Sequence, residues 1–267
     1  MDSSISKLTS SVSSIITTFL IFTTLFFLLK GYLMNGQGPD SDSSVSAAAT
    51  LGYLILIIVV QLFFNFSNAQ AVCNGSSQNL FTVLMYTFIP NFLILGSVVA
   101  LTSAFPGWLS PFSNTFGYFF VSCLGLSKTF NSLLATRSDR NDLLNKICED
   151  QSLIINEMTP DNYSLFMQTL AKKAKNGSGI LTKNYNKLPQ YQDLYNLVVI
   201  KNLISEYIWY VLAGSLVISI SSHSIANIQC EYSTEEMKKT VMDLHDQEEE
   251  MEANAKKNKP SLYSVTN

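Results

Sequence analysis

Chemistry in this chain would have to come from two histidines, His223 and His245, four cysteines, Cys73, Cys123, Cys148 and Cys230, and the carboxylates around them. Their spacing gives no reactive set. Metal binding needs ligands a helical turn or a short loop apart, and no HExxH, CxxC or carboxylate–histidine cluster provides them. Nucleophilic catalysis needs a base beside a serine or cysteine, and no GxSxG turn or Cys–His arrangement stands out. The stretch from Gly177 to Lys183 has glycines and a lysine without phosphate-loop spacing, so it reads as a turn. We therefore expect no catalytic, cofactor-binding or metal site, and no small-molecule substrate. A net charge of −3 offers nothing for wholesale nucleic-acid binding. Cys123 sits in an apolar region as a small packing residue. A Cys73–Cys230 bridge needs both residues on one side of whatever separates them, and strict disulfide geometry weighs against it.

What separates them is apolar sequence. Charged residues make up 14% of the 267 positions, well below the roughly 25% of soluble domains. None lies between Lys7 and Lys30, between Asp42 and Lys128, or between Glu206 and Glu231. Charge-free apolar runs of about 18 residues or more satisfy their own backbone groups as helices in lipid. The chain therefore reads as an all-α, multi-span membrane protein. Spans are expected at about 9–29, 47–64 and 80–101, with a last span from Tyr207 to about Ile225 in the transmembrane helix 202–230. Lys7 before the first run resembles a signal-peptide start, but Lys30-Gly31-Tyr32 closes that run in place of a small-residue cleavage site. An uncleaved anchor is the expectation. Pro90 inside the third span predicts a kink whose freed carbonyl is satisfied by a neighbour. The predicted spans hold no Asp, Glu, Lys or Arg, which argues against an ion-coupled transporter.

The remainder of a membrane domain spanning 1–127 is an aromatic segment at 105–126, rich in proline, glycine and rings. Pro106, Gly107 and Pro111 should break the helix, and Trp108 and Tyr118 suit the headgroup level. The segment reads as interfacial or re-entrant, with a fifth span from Pro111 to Leu126 as the competitor. Residues 128–201 turn soluble in composition and predict a helical extramembrane insert. Leu143, Leu144, Ile147, Ile154, Ile155 and Met158 mark one amphipathic helix. Thr159 and Pro160 read as the start of a second that stops at Asn176-Gly177, and a third from Leu194 should run straight into the last span. Residues 231–267 form a charged tail with a helix start at Ser233, and its stripe Met237, Val241, Leu244 and Met251 is interrupted by Glu248. Sequons occur at Asn65, Asn74, Asn162 and Asn176, each weak by itself.

With four spans, the insert lies on one side together with Lys30, and the N-terminus and tail lie on the other. Of the 17 Lys and Arg residues, Lys30 and the ten from Lys128 to Lys201 fall on the insert side. The positive-inside rule then places the insert in the cytosol.

The run Pro106-Gly107-Trp108, followed by Pro111 through Phe112, Asn114 and Tyr118, resembles a motif in membrane proteins of large icosahedral double-stranded DNA viruses, the chlorella-virus kind. The likeness extends over about 80–145. In that group, multi-span proteins sit in the membrane beneath the capsid, and some are minor capsid proteins tying shell to membrane. The resemblance implies a structural role in the internal membrane of a virion, with lipid and capsid proteins as partners. Interfaces favour aromatic and methionine anchors. The candidate contact residues are therefore Pro106, Trp108, Pro111, Phe112, Asn114 and Tyr118 in the segment, with Tyr163, Phe166, Met167 and Tyr191 in the insert. The alternative is a pore, or an accessory subunit of a membrane complex.

Overall fold

The computed structural model describes residues 2–34, 38–39, 44–73, 80–134, 150–172, 180–230 and 234–257. Among them the regular structure is helical, apart from one isolated bridge between Leu134 and Leu181. The long helices are α1 (Asp2–Met34), α2 (Ser44–Val72) and α3 (Leu80–Ala104). Then come α4 (106–123), α5 (Leu126–Leu133), α6 (Ser152–Ile155) and α7 (Tyr163–Lys172). The chain closes with α8 (Pro189–Ala226) and α9 (Thr234–Lys257). Four stretches are long and apolar enough to cross a membrane: Val12–Met34, Ala47–Val72, Leu80–Ala104 and Pro189–Ala226. The protein is a multi-span helical membrane protein.

Helix α8 is the axis of the bundle. Its 38 residues extend about 57 Å at 1.5 Å per residue, against roughly 30 Å of hydrocarbon. Helix α1 runs antiparallel to it: Phe19 meets Gly214 near one end, and Gly31 meets Leu203 near the other. Helix α2 runs parallel to it, with Tyr53 beside Tyr210, Asn65 bonded to Ser221, and Cys73 joined to Cys230. Helix α3 returns beside α2, pairing Thr87 with Asn65 and Asn91 with Gln61. The overrun of α8 beyond the others becomes the first wall of the insert.

Lipid-facing and inward surfaces are both apolar, so polarity alone does not sort them. Leu25, Leu28, Leu51, Ile55, Phe63, Phe81 and Phe92 are exposed on the outside of the bundle. Inside, Phe26 stacks on Tyr53 at 4.3 Å, and Phe27 meets Tyr210 edge-on at 5.3 Å. The Thr23 hydroxyl lies 2.7 Å from the Tyr53 hydroxyl, which gives both a partner away from water. Gly214 allows the closest approach of α1 and α8. A β-carbon there would overlap the Phe19 ring.

Pro90 lies within α3. It has no N–H to donate, and a five-residue π-helix, Asn91–Leu95, follows it. Asn91 Nδ2 donates to the Thr87 carbonyl at 2.8 Å, adding a side-chain bond within this turn.

Two expectations about the insert change. The second helix starts at Tyr163, not at Pro160: the Asn162 carbonyl accepts from Phe166 N–H, and its side-chain oxygen accepts from Thr159 N–H at 2.8 Å in the turn before the helix. Of the amphipathic stretch 143–158, the described part is helical over Ser152–Ile155, and 143–149 lies outside the described residues. Asn176-Gly177 and Ser233 also lie outside them. The third helix begins at Pro189, its first-turn proline, and runs unbroken to Ala226.

Candidate functional site

The aromatic segment and the insert meet on the outer half of α8. Phe105 leaves α3 in an extended conformation, and Pro106 opens α4 as the first residue of a 3-10 turn. Helical hydrogen bonding then continues through Pro111 and a second π-helix, Ser113–Gly117, to Cys123. Pro106 therefore starts the helix, and Pro111 stands in the first turn of its α-helical part, so neither breaks it. A proline in a first turn lacks only a donor that has no intrahelical partner. The real turn is Gly125, at φ 94°, a conformation glycine adopts freely.

Helix α4 crosses α8 obliquely. Trp209 Nε1 donates to the Trp108 carbonyl at 2.9 Å, and Ser205 Oγ donates to the Leu109 carbonyl. Further along, Gly117 lies directly on Lys201, where a β-carbon would sit 2.5 Å from the Lys201 carbonyl oxygen. The contacts move outward along α8, away from its Ala226 end. The segment thus packs along α8 from Trp209 toward Lys201.

The named residues divide by what they touch. Trp108 is exposed and lies 6.1 Å from the Trp209 ring, while Phe112 is half-buried and meets Trp209 edge-on at 5.2 Å. Pro106 and Pro111 are exposed, Asn114 is half-buried, and Tyr118 packs against the core. Phe116, Phe119, Phe120 and Leu124 form an exposed apolar face suited to lipid.

In the insert, Tyr163 and Met167 are fully buried and cannot reach a partner. Tyr163 donates its hydroxyl to the Tyr191 carbonyl at 2.7 Å, and its ring lies between Tyr191 at 5.1 Å and Tyr195 at 5.2 Å. Burial pushes its hydroxyl pKa upward, so it stays a neutral donor. Phe166 and Tyr191 are half-buried against the same core. The exposed apolar residues here are Leu153 and Leu165 instead. Each belongs to a run of three apolar residues, Leu153-Ile154-Ile155 and Leu165-Phe166-Met167. At 100° per residue three in a row cannot share one narrow face, and that was the available signal.

Three polar features join these parts. Lys30 Nζ bonds both Glu206 oxygens, at 2.7 and 2.8 Å, with side chains 8% and 14% exposed. The helices overrun the charge-free runs, so this pair lies inside the span helices, contrary to the expectation of none. Lys201, 1% exposed, donates to the Ile155 carbonyl at 2.7 Å and anchors α6 to α8. Deeper in the bundle, Asn65 Nδ2 donates to Thr87 Oγ1 at 2.9 Å and to Ser221, and Asn91 Nδ2 donates to Gln61 Oε1 at 2.6 Å. This ladder ties α2, α3 and α8 together.

At the far end, Cys73 and Cys230 form a disulfide across 157 residues, reversing the expectation that they stay apart. Their helices are parallel, so both reach the same side. Cys123 is a free, exposed thiol near the opposite end. The Asn65 sequon is 1% exposed within the ladder, closed to any modifying enzyme, and Asn74 and Asn176 lie outside the described residues. Among the described residues, no three His, Cys, Asp or Glu side chains converge. Comparison with protein-family models, curated proteins and solved structures finds no match for this chain.

Proposed function

We propose that this protein is a structural component of a virion, anchored in an internal membrane and holding that membrane to the capsid shell. The observation that carries this reading is mechanical. One uninterrupted helix, α8, serves both as a span and as a wall of the extramembrane insert. It is braced on its outer half by α1 through Lys30–Glu206, by α4 at Gly117 and by α6 at Lys201. A module fixed this way transmits load between lipid and an outside layer. The virion itself enters through the resemblance around Pro106–Tyr118. The partner-facing surface of the insert includes Leu153 and Leu165.

The insert faces the cytosol when the chain is made. Positive residues favour that side, and disulfides form and persist in oxidising compartments, which puts Cys73–Cys230 on the opposite one. Chemical cross-linking of intact particles tests the role. Lys172, Lys173, Lys183 or Lys187 should join to a capsid-layer protein. A complete set of self-links, or no association with particles, would defeat it.

A pore or accessory subunit is the second reading, and the intramembrane ladder is what favours it. Within one chain that ladder is closed, since Asn65, Thr87 and Asn91 are each at most 2% exposed. Ion flux from the purified protein in liposomes would bring this reading forward.

A further inference from the structure

A groove runs along the seam of α1 and α8. It encloses about 530 Å³, within the usual range for small-molecule sites. One wall is the Thr24, Leu28, Gly31 face of α1, and the other is the Ile200, Ile204, Tyr207 stripe of α8. Gly31 has no side chain, so the floor drops to Leu203. The inner end is closed by the hydrogen bond between the Thr24 and Tyr207 hydroxyls, 3.1 Å apart. The outer end carries polar groups, Asn196 and Tyr32. Leu28 is 66% and Tyr32 78% exposed, so the slot is open along its length.

We propose that this groove is a lipid site that takes one acyl chain from the leaflet on the insert side. Three observations select that occupant. The groove is continuous with the lipid-facing surface of α1, where Ile21, Leu25 and Leu29 are exposed. Its polarity rises toward the outer end, as in a lipid whose tail lies inward and whose ester region lies outward. Its length also fits: Thr24 to Met34 covers about 15 Å of helix, half of a roughly 30 Å hydrocarbon layer. It occupies the outer half of the span Val12–Met34. The nearby charges do not interfere, because Lys30 and Glu206 neutralise each other. A chain seated here touches both helices at the level where the insert begins, so it acts as a wedge that stiffens the stalk. The inference rests on the membrane fold and not on the virion reading.

The test uses the full chain in phosphatidylcholine nanodiscs, released into mild detergent for native mass spectrometry. The wild type should retain one phosphatidylcholine per protein through delipidation. Gly31→Leu should lose it by at least tenfold in occupancy. A β-carbon there meets only Leu203 Cδ1 at 3.5 Å, an ordinary contact, so the variant has room to fold. Ile204→Phe fills the same slot from the other wall and serves if Gly31→Leu does not fold. Ile55→Phe, on the exposed face of α2, should keep the lipid. No retained lipid in the wild type, or equal retention in the filled variants, would overturn the proposal. So would a Leu28→Cys disulfide dimer forming in lipid, which would give the groove to a second copy.

Discussion

The two ends of the helix bundle are fastened by different chemistry. At the Cys73–Cys230 end, α2 and α8 are joined covalently, and the Asn65–Thr87–Ser221 bonds sit just inside that joint. At the insert end there is no covalent link among the described residues. A buried ion pair, a buried lysine on helix-end carbonyls and a glycine close approach hold α1, α4 and α6 to α8. The first end resists separation of two spans. The second fixes the direction in which the last helix leaves the membrane. A disulfide suits an oxidising side, whereas charge and shape fit work equally in a reducing one.

The largest effect should come from breaking the ion pair on one side. Lys30→Met leaves the Glu206 carboxylate unpaired against apolar side chains, at a cost of about 3–5 kcal/mol. Denaturation in detergent, followed by Trp108 and Trp209 fluorescence, measures it. Lys30→Met with Glu206→Leu should recover most of the loss. If the double variant is no better than the single one, the pair does not act as described.

Next is the disulfide. Cys73→Ser with Cys230→Ser should lower stability by about 2–4 kcal/mol, and reductant should destabilise the wild type similarly. The losses from Lys30→Met and from reduction should add, because the sites lie at opposite ends. Strong coupling between them would erase the distinction between the two fastenings.

Gly117→Ala should cost about 1–3 kcal/mol by overpacking, since the Lys201 carbonyl it meets is backbone that cannot rotate away. Limited proteolysis should then cut the insert sooner while leaving the spans protected. The smallest effect belongs to Asn65→Val. Removing an interhelical hydrogen bond in lipid costs about 0.6–1.7 kcal/mol, readable as a shift in the same unfolding curve.

Much of the membrane part was legible because exclusion of charge from lipid is a strong constraint. The gaps after Lys7, Asp42 and Glu206 locate all four spans. Lys30 and Glu206 themselves were passed over because each marked the edge of a run. Yet antiparallel first and last spans put those two edges on the same side, where opposite charges can pair. Gln61 with Asn65 and Thr87 with Asn91 are i, i+4 pairs, a polar stripe on each helix that the apolar surroundings concealed. The disulfide depended on the number of spans between its cysteines. Pro106 and Pro111 differ from the expected breaks because proline punctuates a chain but also fits a helix's first turn, and local sequence does not choose between the two. Which insert tyrosines face inward was set by tertiary packing on α8.

The four-span bundle puts three crossings between the N-terminus and the insert, and a fourth between the insert and the tail. Tags placed after residue 2, within 177–179 and after residue 257, read by protease protection in sealed microsomes, test this directly. The insert tag should be digested from the cytosolic side, with the other two protected inside until detergent is added. An insert tag that shares the protection of the N-terminal tag would contradict the four-span bundle.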